Sequence, residues 1–152
     1  MRWRYSALRV LKIPGGSRVA FDTPILIYFL ERHPRFHREV QQIFERMEGG
    51  DIHGVLSTLA LTELLVPAFR AGHADKAQKL LGLLSGFPNL DILDITIPIA
   101  VTAARLRGEY RLSSPDALHA ATALEARINT LITNDRDFLR LEPAGLRIAV
   151  LE

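Results

Sequence analysis

Four acidic residues occupy positions from which they could bind one cation together. Asp22 ends a short apolar run, Glu63 interrupts a long one, and Asp116 and Asp135 stand before and after a short stretch of helical and extended pattern. The chain has no cysteine, and oxygen ligands without thiolates suit Mg²⁺ or Mn²⁺ rather than zinc. Four carboxylates at one place also need a cation if all are to stay ionised. These acids predict a divalent-metal site, provided that the fold brings them together.

Each of these acids also has a structural explanation that the sequence leaves open. Asp22 and Asp135 follow predicted strands, where aspartate often caps the backbone amides of a turn. Asp116 falls in a first helical turn and matches a capping box with the serine three residues before it. Glu63 is the only charge in residues 53–68, so it is either a functional carboxylate in apolar surroundings or one on a wet helix face. The combination of acids, more than any single one, favours a site.

The segments around the acids alternate between strand and helix patterns. We predict strands at 18–22, 55–57, 90–95, 130–133 and 147–151, helices at 24–32, 36–47, 59–70, 75–84, 98–111 and 114–127, and a short helical turn at 135–139. Thr23 is the predicted N-cap of the first helix. Strands separated by helices require parallel crossovers, which cover both faces of a sheet. The pattern predicts an α/β fold, a three-layer α/β/α sandwich with a mostly parallel central sheet.

This fold would gather the acids at one edge of the sheet. Ligands of open α/β sheets bind beyond the carboxyl ends of the strands, where Asp22 and Asp135 are predicted. Glu63 is expected near the start of the helix after the second strand. One helix and one strand lie between Asp116 and Asp135, so the chain returns to the edge from which it started. We therefore expect all four carboxylates to converge there.

Short motifs surround the four acids in a recognisable order. They are Asp22-Thr23, Glu63-Leu64, Pro115-Asp116-Ala117-x-His119-Ala120-Ala121-Thr122-Ala123 and Thr133-Asn134-Asp135-Arg136-Asp137-Phe138. In order and spacing they resemble the PIN-domain ribonucleases, and within them most of all the VapC-type toxins of bacterial and archaeal toxin–antitoxin pairs. The resemblance covers about residues 18–151. The two longer strings are fairly specific, whereas Asp-Thr and a lone glutamate are weak signals.

The resemblance implies a function and a set of site residues. It implies a PIN-like domain that cleaves RNA endonucleolytically with Mg²⁺ or Mn²⁺, acts as the toxin of a toxin–antitoxin pair, forms a homodimer and binds a cognate antitoxin. The residues that it implies to be catalytic are the acids Asp22, Glu63, Asp116 and Asp135. The implied metal ligands are these four acids and Asp137, with Thr133 as an auxiliary hydroxyl.

Three neighbouring residues leave alternatives open. Arg111 and Arg136 adjoin the acid motifs and are candidate phosphate contacts, or else ordinary surface groups. His119 lies one turn from Asp116 and either faces the site or has a packing or capping role. Pro24 stands where the family often has Asn or Ser. It keeps open the alternative function, a catalytically inactive PIN-like module that binds protein or RNA.

The charge of the chain is unevenly distributed. The formal net charge is +2, yet residues 1–18 hold no acid and five basic residues, namely Arg2, Arg4, Arg9, Lys12 and Arg18. We predict a basic leader at 1–17 and the PIN-like domain at 18–152. The leader could be a disordered arm, a nucleic-acid contact or the product of a misassigned start codon. No apolar stretch approaches the ~18 residues of a membrane span, so we expect a soluble, cytoplasmic protein with no membrane partner.

Overall fold

A parallel sheet forms the centre of the fold. The structure is a computed structural model that describes residues 8–9 and 12–151. The described strands are β1 (Leu8–Arg9), β2 (Arg18–Phe21), β3 (His53–Ser57), β4 (Leu90–Leu93), β5 (Thr130–Thr133) and β6 (Arg147–Val150). They form one sheet in the order β1-β6-β5-β2-β3-β4, and every neighbouring pair is parallel.

Helices connect these strands and cover the sheet. They are α1 (Thr23–Leu30), α2 (His37–Glu48), α3 (Thr58–Arg70), α4 (Ala74–Ser85), α5 (Ile97–Tyr110) and α6 (Ser114–Glu125), and a 3₁₀ segment spans Arg136–Ala144. Among the described helices, none is long and apolar enough to cross a membrane.

The strand residues alternate between two hydrophobic cores. In β2, Val19 and Phe21 belong to a core shared with α1–α4, and Ala20 belongs to a second core shared with α5 and α6. In β5, Ile132 and Leu131 divide in the same way. Because successive side chains of a strand point to opposite faces, both faces of the sheet are covered. The predicted three-layer α/β/α fold is confirmed.

The element boundaries differ from prediction at several places. The predicted helical turn at 135–139 is extended into the 3₁₀ segment, and the predicted strand at 90–95 ends at Leu93. Within the predicted leader, Leu8 and Arg9 form β1, which pairs with Ala149 and Val150 of β6. Residues 1–7 and 10–11 of the leader lie outside the described residues. The division of the chain at residue 18 stays a prediction.

Strand register brings the first and last acid motifs to the same place. Phe21 of β2 is paired with Ile132 of β5, so Asp22 follows its strand beside Thr133. On the other side of β2, strand β3 runs directly from Ser57 into α3. The carboxyl ends of the central strands therefore form the floor of a single edge site.

A glycine in β3 allows α2 to pack closely on the sheet. A Cβ atom at Gly54 would lie 2.8 Å from Cε2 of Phe21 and would overlap Sδ of Met47, and both of these side chains are fully buried. We expect Gly54→Ala to lower the free energy of unfolding by about 1–3 kcal/mol, because overpacking forces the neighbours to shift. Guanidinium unfolding monitored by circular dichroism measures this change.

Gly82 supplies the matched control for that experiment. It lies within α4, and a Cβ there meets nothing within 4 Å. Gly82→Ala should leave stability unchanged or raise it by roughly 0.5–1 kcal/mol through helix propensity. Equal effects of the two substitutions would contradict the close-packing explanation.

Candidate active site

Asp22 lies at the floor of the site. It follows β2, occupies the N-cap position of α1 and is only 4% exposed. The Thr133 hydroxyl donates to Asp22 Oδ2 at 2.5 Å and also accepts from the backbone amide of Asp135 at 3.0 Å. Asp22 Oδ1 is buried and has no hydrogen-bond partner among the described residues. One oxygen of this carboxylate is thus oriented by Thr133, and the other is left for a ligand.

The environment of Asp22 opposes its negative charge. Burial raises the pKa of Asp22 from 3.8 to about 7, and the charges of Asp116 and Asp135 add to the increase. The Thr133 hydroxyl lowers this pKa, and the backbone amide of Ile25 at the start of α1 lowers it further. Asp22 is thus a buried carboxylate with two acidic neighbours, a setting that disfavours its charged form.

Asp116 interacts electrostatically with each of the other three predicted acids. It lies in the first turn of α6, where its backbone amide donates to the Ser113 hydroxyl at 3.3 Å and so caps the helix. Burial raises the pKa of Asp116, with further increases from the charges of Asp135 and Glu63, while Ser113 and His119 oppose the shift. Each of the four predicted acids therefore interacts electrostatically with at least one of the other three.

Glu63 contacts two residues whose roles the sequence did not establish. Its Oε1 accepts from the Thr23 hydroxyl at 2.8 Å and lies 3.0 Å from His119 Nε2. The prediction that Thr23 is the N-cap of α1 is wrong, because Asp22 takes that position and the Thr23 side chain turns to Glu63. The Glu63 side chain is 37% exposed, so this residue is neither a buried charge nor a free one.

His119 is buried against the site instead of simply filling the core. Its Nε2 lies 3.1 Å from the Thr23 hydroxyl as well as 3.0 Å from Glu63. The sequence carried one signal for this placement, since residues three apart on a helix share a face and Asp116 precedes His119 by three. That signal alone does not distinguish a site residue from a packing residue.

The remaining predicted site residues lie at the rim. Asp135 is exposed, and its side chain accepts from the Asp137 amide at 2.8 Å, which caps the 3₁₀ segment. Asp137 is exposed and its carboxylate lies 3.4 Å from Arg140. Arg111 and Arg136 are also exposed. Among the described residues, no ion pair joins either arginine to the four acids, and the Asp137 carboxylate contacts Arg140. The roles of the arginines as phosphate contacts and of Asp137 as a metal ligand stay predictions.

The donor set of the site is compatible with a divalent cation. Within the described part of the chain, no group of three or more His, Asp or Glu side chains forms a ready-made metal site, so the carboxylates would have to draw together around an ion. The described residues also include no arginine or lysine paired with Asp22, Glu63, Asp116 or Asp135. The unpartnered Asp22 oxygen and the raised pKa of Asp22 fit a cation held by oxygen ligands, as Mg²⁺ and Mn²⁺ are.

The chain is similar to a known protein family, to a curated relative and to solved structures. The PIN domain family model matches residues 19–142. Ribonuclease VapC2 of Methanocaldococcus jannaschii is 27% identical over 138 residues, which cover 83% of this chain and 90% of the relative. A toxin–antitoxin complex from Klebsiella pneumoniae contains a chain that is 29% identical, with a TM-score of 0.59 over 79% of this chain and 89% of that one.

A more distant structure extends the similarity of fold. VapBC2 from Rickettsia felis, bound to a DNA fragment from its promoter, contains a chain that is 20% identical with a TM-score of 0.68. The match covers 89% of this chain and 99% of the other. At this identity the likeness supports the fold, which is the one described above.

The raised pKa of Asp22 predicts how stability depends on pH in metal-free protein. The folded state holds the Asp22 proton more tightly than the unfolded state, so stability from this group is fully present below about pH 4 and is lost as pH rises through about 7. Asp22→Asn should remove this dependence and be the more stable protein at about pH 8, by on the order of 4 kcal/mol for a rise of about three pKa units. Urea unfolding in the presence of a chelator at several pH values measures it.

Asp75→Asn is the control for this comparison, because Asp75 is exposed on α4 and does not follow a strand at the carboxyl edge of the sheet. This variant should keep the pH dependence of the unmodified protein. If Asp22→Asn also kept it, burial of an ionised Asp22 would not be the origin of the effect.

Proposed function

This chain belongs to the PIN domain family, and on that premise we propose that it is an endoribonuclease that hydrolyses RNA phosphodiester bonds with Mg²⁺ or Mn²⁺. The observation that carries the proposal is the buried Asp22 carboxylate, which has one oxygen without a hydrogen-bond partner among the described residues. The charges of Asp116 and Asp135 act on this carboxylate and help to raise its pKa. Burying a carboxylate without a positive partner costs desolvation free energy, and a bound cation would offset that cost. The ribonuclease named above, similar over most of both chains, supports the reaction class.

Each site residue has a role in this proposal. Asp22, Glu63, Asp116 and Asp135 would hold the ion, and Thr133 would keep Asp22 oriented by occupying one of its oxygens. When bound, the cation supplies charge neutralisation at the scissile phosphate and activates water for attack. Asp137 is an additional candidate ligand, and Arg111 and Arg136 are candidate contacts to flanking phosphates.

The graded exposure of the acids suits a polymeric substrate. Asp22 is buried, Asp116 is half-buried, and Glu63 and Asp135 are exposed. The site is therefore deep on one side and open along the carboxyl edge of the sheet. An open edge lets a phosphate in the middle of a chain approach the acids, as endonucleolytic cleavage requires.

We extend the proposal to the partners of the protein. The Klebsiella pneumoniae relative is part of a toxin–antitoxin complex, and this chain is proposed to be the toxin of such a pair, with a cognate antitoxin and a homodimeric state. Large apolar side chains stand exposed on α3 and α5, with Phe69 at 56%, Ile97 at 81% and Val101 at 64% exposure. Exposed apolar side chains of this size support contact with another protein.

Substitution of the acids tests the enzymatic proposal. Asp22→Asn and Asp116→Asn should each reduce RNA cleavage by more than about 100-fold, since losing even a residue that supports a metal ligand costs roughly 10–100-fold. Cleavage of a mixed pool of labelled RNAs with Mg²⁺ or Mn²⁺ measures this, and a chelator should abolish the activity of the unmodified protein. Asp75→Asn, exposed on α4 and outside the four acid motifs, serves as the control.

Two outcomes of this assay would count against the proposal. Full activity in both acid variants would refute the site assignment. Unmodified protein that binds RNA but cleaves none with either metal would favour the alternative, a catalytically inactive binding module.

The toxin role has its own test in cells. Induced expression of the unmodified chain should arrest growth, whereas Asp116→Asn expressed to the same level should not. Co-expression with the product of a small adjacent open reading frame should relieve the arrest, because a cognate antitoxin would occupy the toxin. Growth curves and co-purification measure both effects, and arrest by Asp116→Asn would show a toxicity unrelated to the acids.

A further inference from the structure

Three helices meet at one oxygen of Glu63. Thr23 comes from α1, Glu63 from α3 and His119 from α6, so the contact joins positions that are 40 and 56 residues from Glu63 along the chain. Thr23 and His119 are buried, at 3% and 4% exposure, while Glu63 reaches the open rim. A partly exposed carboxylate is thus held from behind by two buried side chains.

The polar atoms of this contact allow one consistent arrangement of hydrogens. An ionised carboxylate only accepts, whereas a hydroxyl donates once and also accepts. The Thr23 hydroxyl therefore donates to Glu63 Oε1. His119 Nε2 must then carry a hydrogen, which it shares between Glu63 Oε1 and the Thr23 oxygen at 3.0 and 3.1 Å.

Packing alone does not explain a histidine at this position. Nδ1 of His119 is buried with no hydrogen-bond partner among the described residues, so the imidazole is only half satisfied. The neighbouring core positions of α6 are small and apolar, with Ala117, Ala120 and Ala121 fully buried. Burying an imidazole with one unpaired nitrogen is unfavourable, and the interaction that it gains is with Glu63 and Thr23.

We propose that Thr23 and His119 are positioning residues that hold Oε1 of Glu63 and leave its other oxygen for the divalent cation of the site. In the described residues, Oε2 of Glu63 makes no hydrogen bond. The position of this carboxylate also acts on Asp116, whose pKa its charge raises. The role rests on the proposed function, since it needs a cation at the acid cluster.

Metal binding by RNA-free protein tests the role without relying on activity. Calorimetric titration with Mn²⁺ should show about tenfold weaker binding for Thr23→Val and for His119→Leu, in line with the cost of losing a residue that orients a metal ligand. Thr23→Ser and His119→Gln, which keep a donor, should lose less than their apolar counterparts. This rescue by the conservative change is the result that a purely structural role would not produce.

Thr122→Val is the matched control. Thr122 is also buried, lies on α6 with His119, and donates its hydroxyl to the Leu118 carbonyl at 2.8 Å, away from Glu63. It undergoes the same chemical change as Thr23→Val, so its Mn²⁺ affinity should equal that of the unmodified protein. Equal weakening in this control would assign the effect to general loss of a buried hydroxyl and overturn the positioning role.

Nitrogen NMR of metal-free protein gives a second readout that needs no apolar variant to fold. His119→Gln identifies the His119 signals, and Nε2 should be the protonated nitrogen. Glu63→Ala should shift this Nε2–H signal and speed its exchange with water. An Nε2 without hydrogen in the unmodified protein, or a signal indifferent to Glu63→Ala, would overturn the arrangement.

The results separate this role from the function on which it rests. If the unmodified protein binds Mn²⁺ and cleaves RNA, but Thr23→Val and His119→Leu bind Mn²⁺ equally well, the positioning role is wrong and the ribonuclease proposal stands. If the unmodified protein neither binds Mn²⁺ nor cleaves RNA, the proposed function fails and this role fails with it.

Discussion

Asp22 is buried at the carboxyl end of a central strand, and among the described residues no arginine or lysine forms an ion pair with it. The arrangement of the site follows from that constraint. Asp22 cannot leave the floor of the site, because β2 and α1 fix its backbone on both sides. Thr133 engages one of its oxygens, and the other remains unpartnered. Asp116 and Asp135 increase the cost of its charge. The protein thus keeps a local electrostatic strain that a divalent cation would relieve, which is a common property of functional sites.

The parallel sheet brings the four acids to the same edge of the fold. In a parallel sheet all strands end at the same edge, so a helix that follows a strand starts there and a helix that leads into the next strand runs away from it. Asp22 and Asp135 follow adjacent strands, while Glu63 and Asp116 belong to helices that begin at that edge. Two separate hydrophobic cores hold the helices against the sheet from both sides. The rigidity of the framework therefore resists the mutual repulsion of the acids.

Much of this arrangement could be predicted from the chain alone, and the exceptions have physical explanations. The alternation of strand and helix patterns predicted the layers and the carboxyl-edge position of the acids. The role of Thr23 was mispredicted because a threonine before a helix that starts with proline matches an N-cap signal equally well. The contact between α1 and α3 in the folded chain shows that the Thr23 hydroxyl donates to Glu63 instead. The pairing of β1 with β6 was likewise not predicted, since a two-residue strand carries no periodicity.

Local pattern and residue type were enough to predict the fold class and the order of the elements, and they singled out the acids as candidates. The environment of those acids became visible only in the folded chain. It includes the Asp22 oxygen that has no partner among the described residues, the charges that act on Asp116 and the side chains that contact Glu63. These properties arise from contacts between residues tens of positions apart. Burial and mutual distance set the energy of a charge, and neither is a property of the chain before it folds.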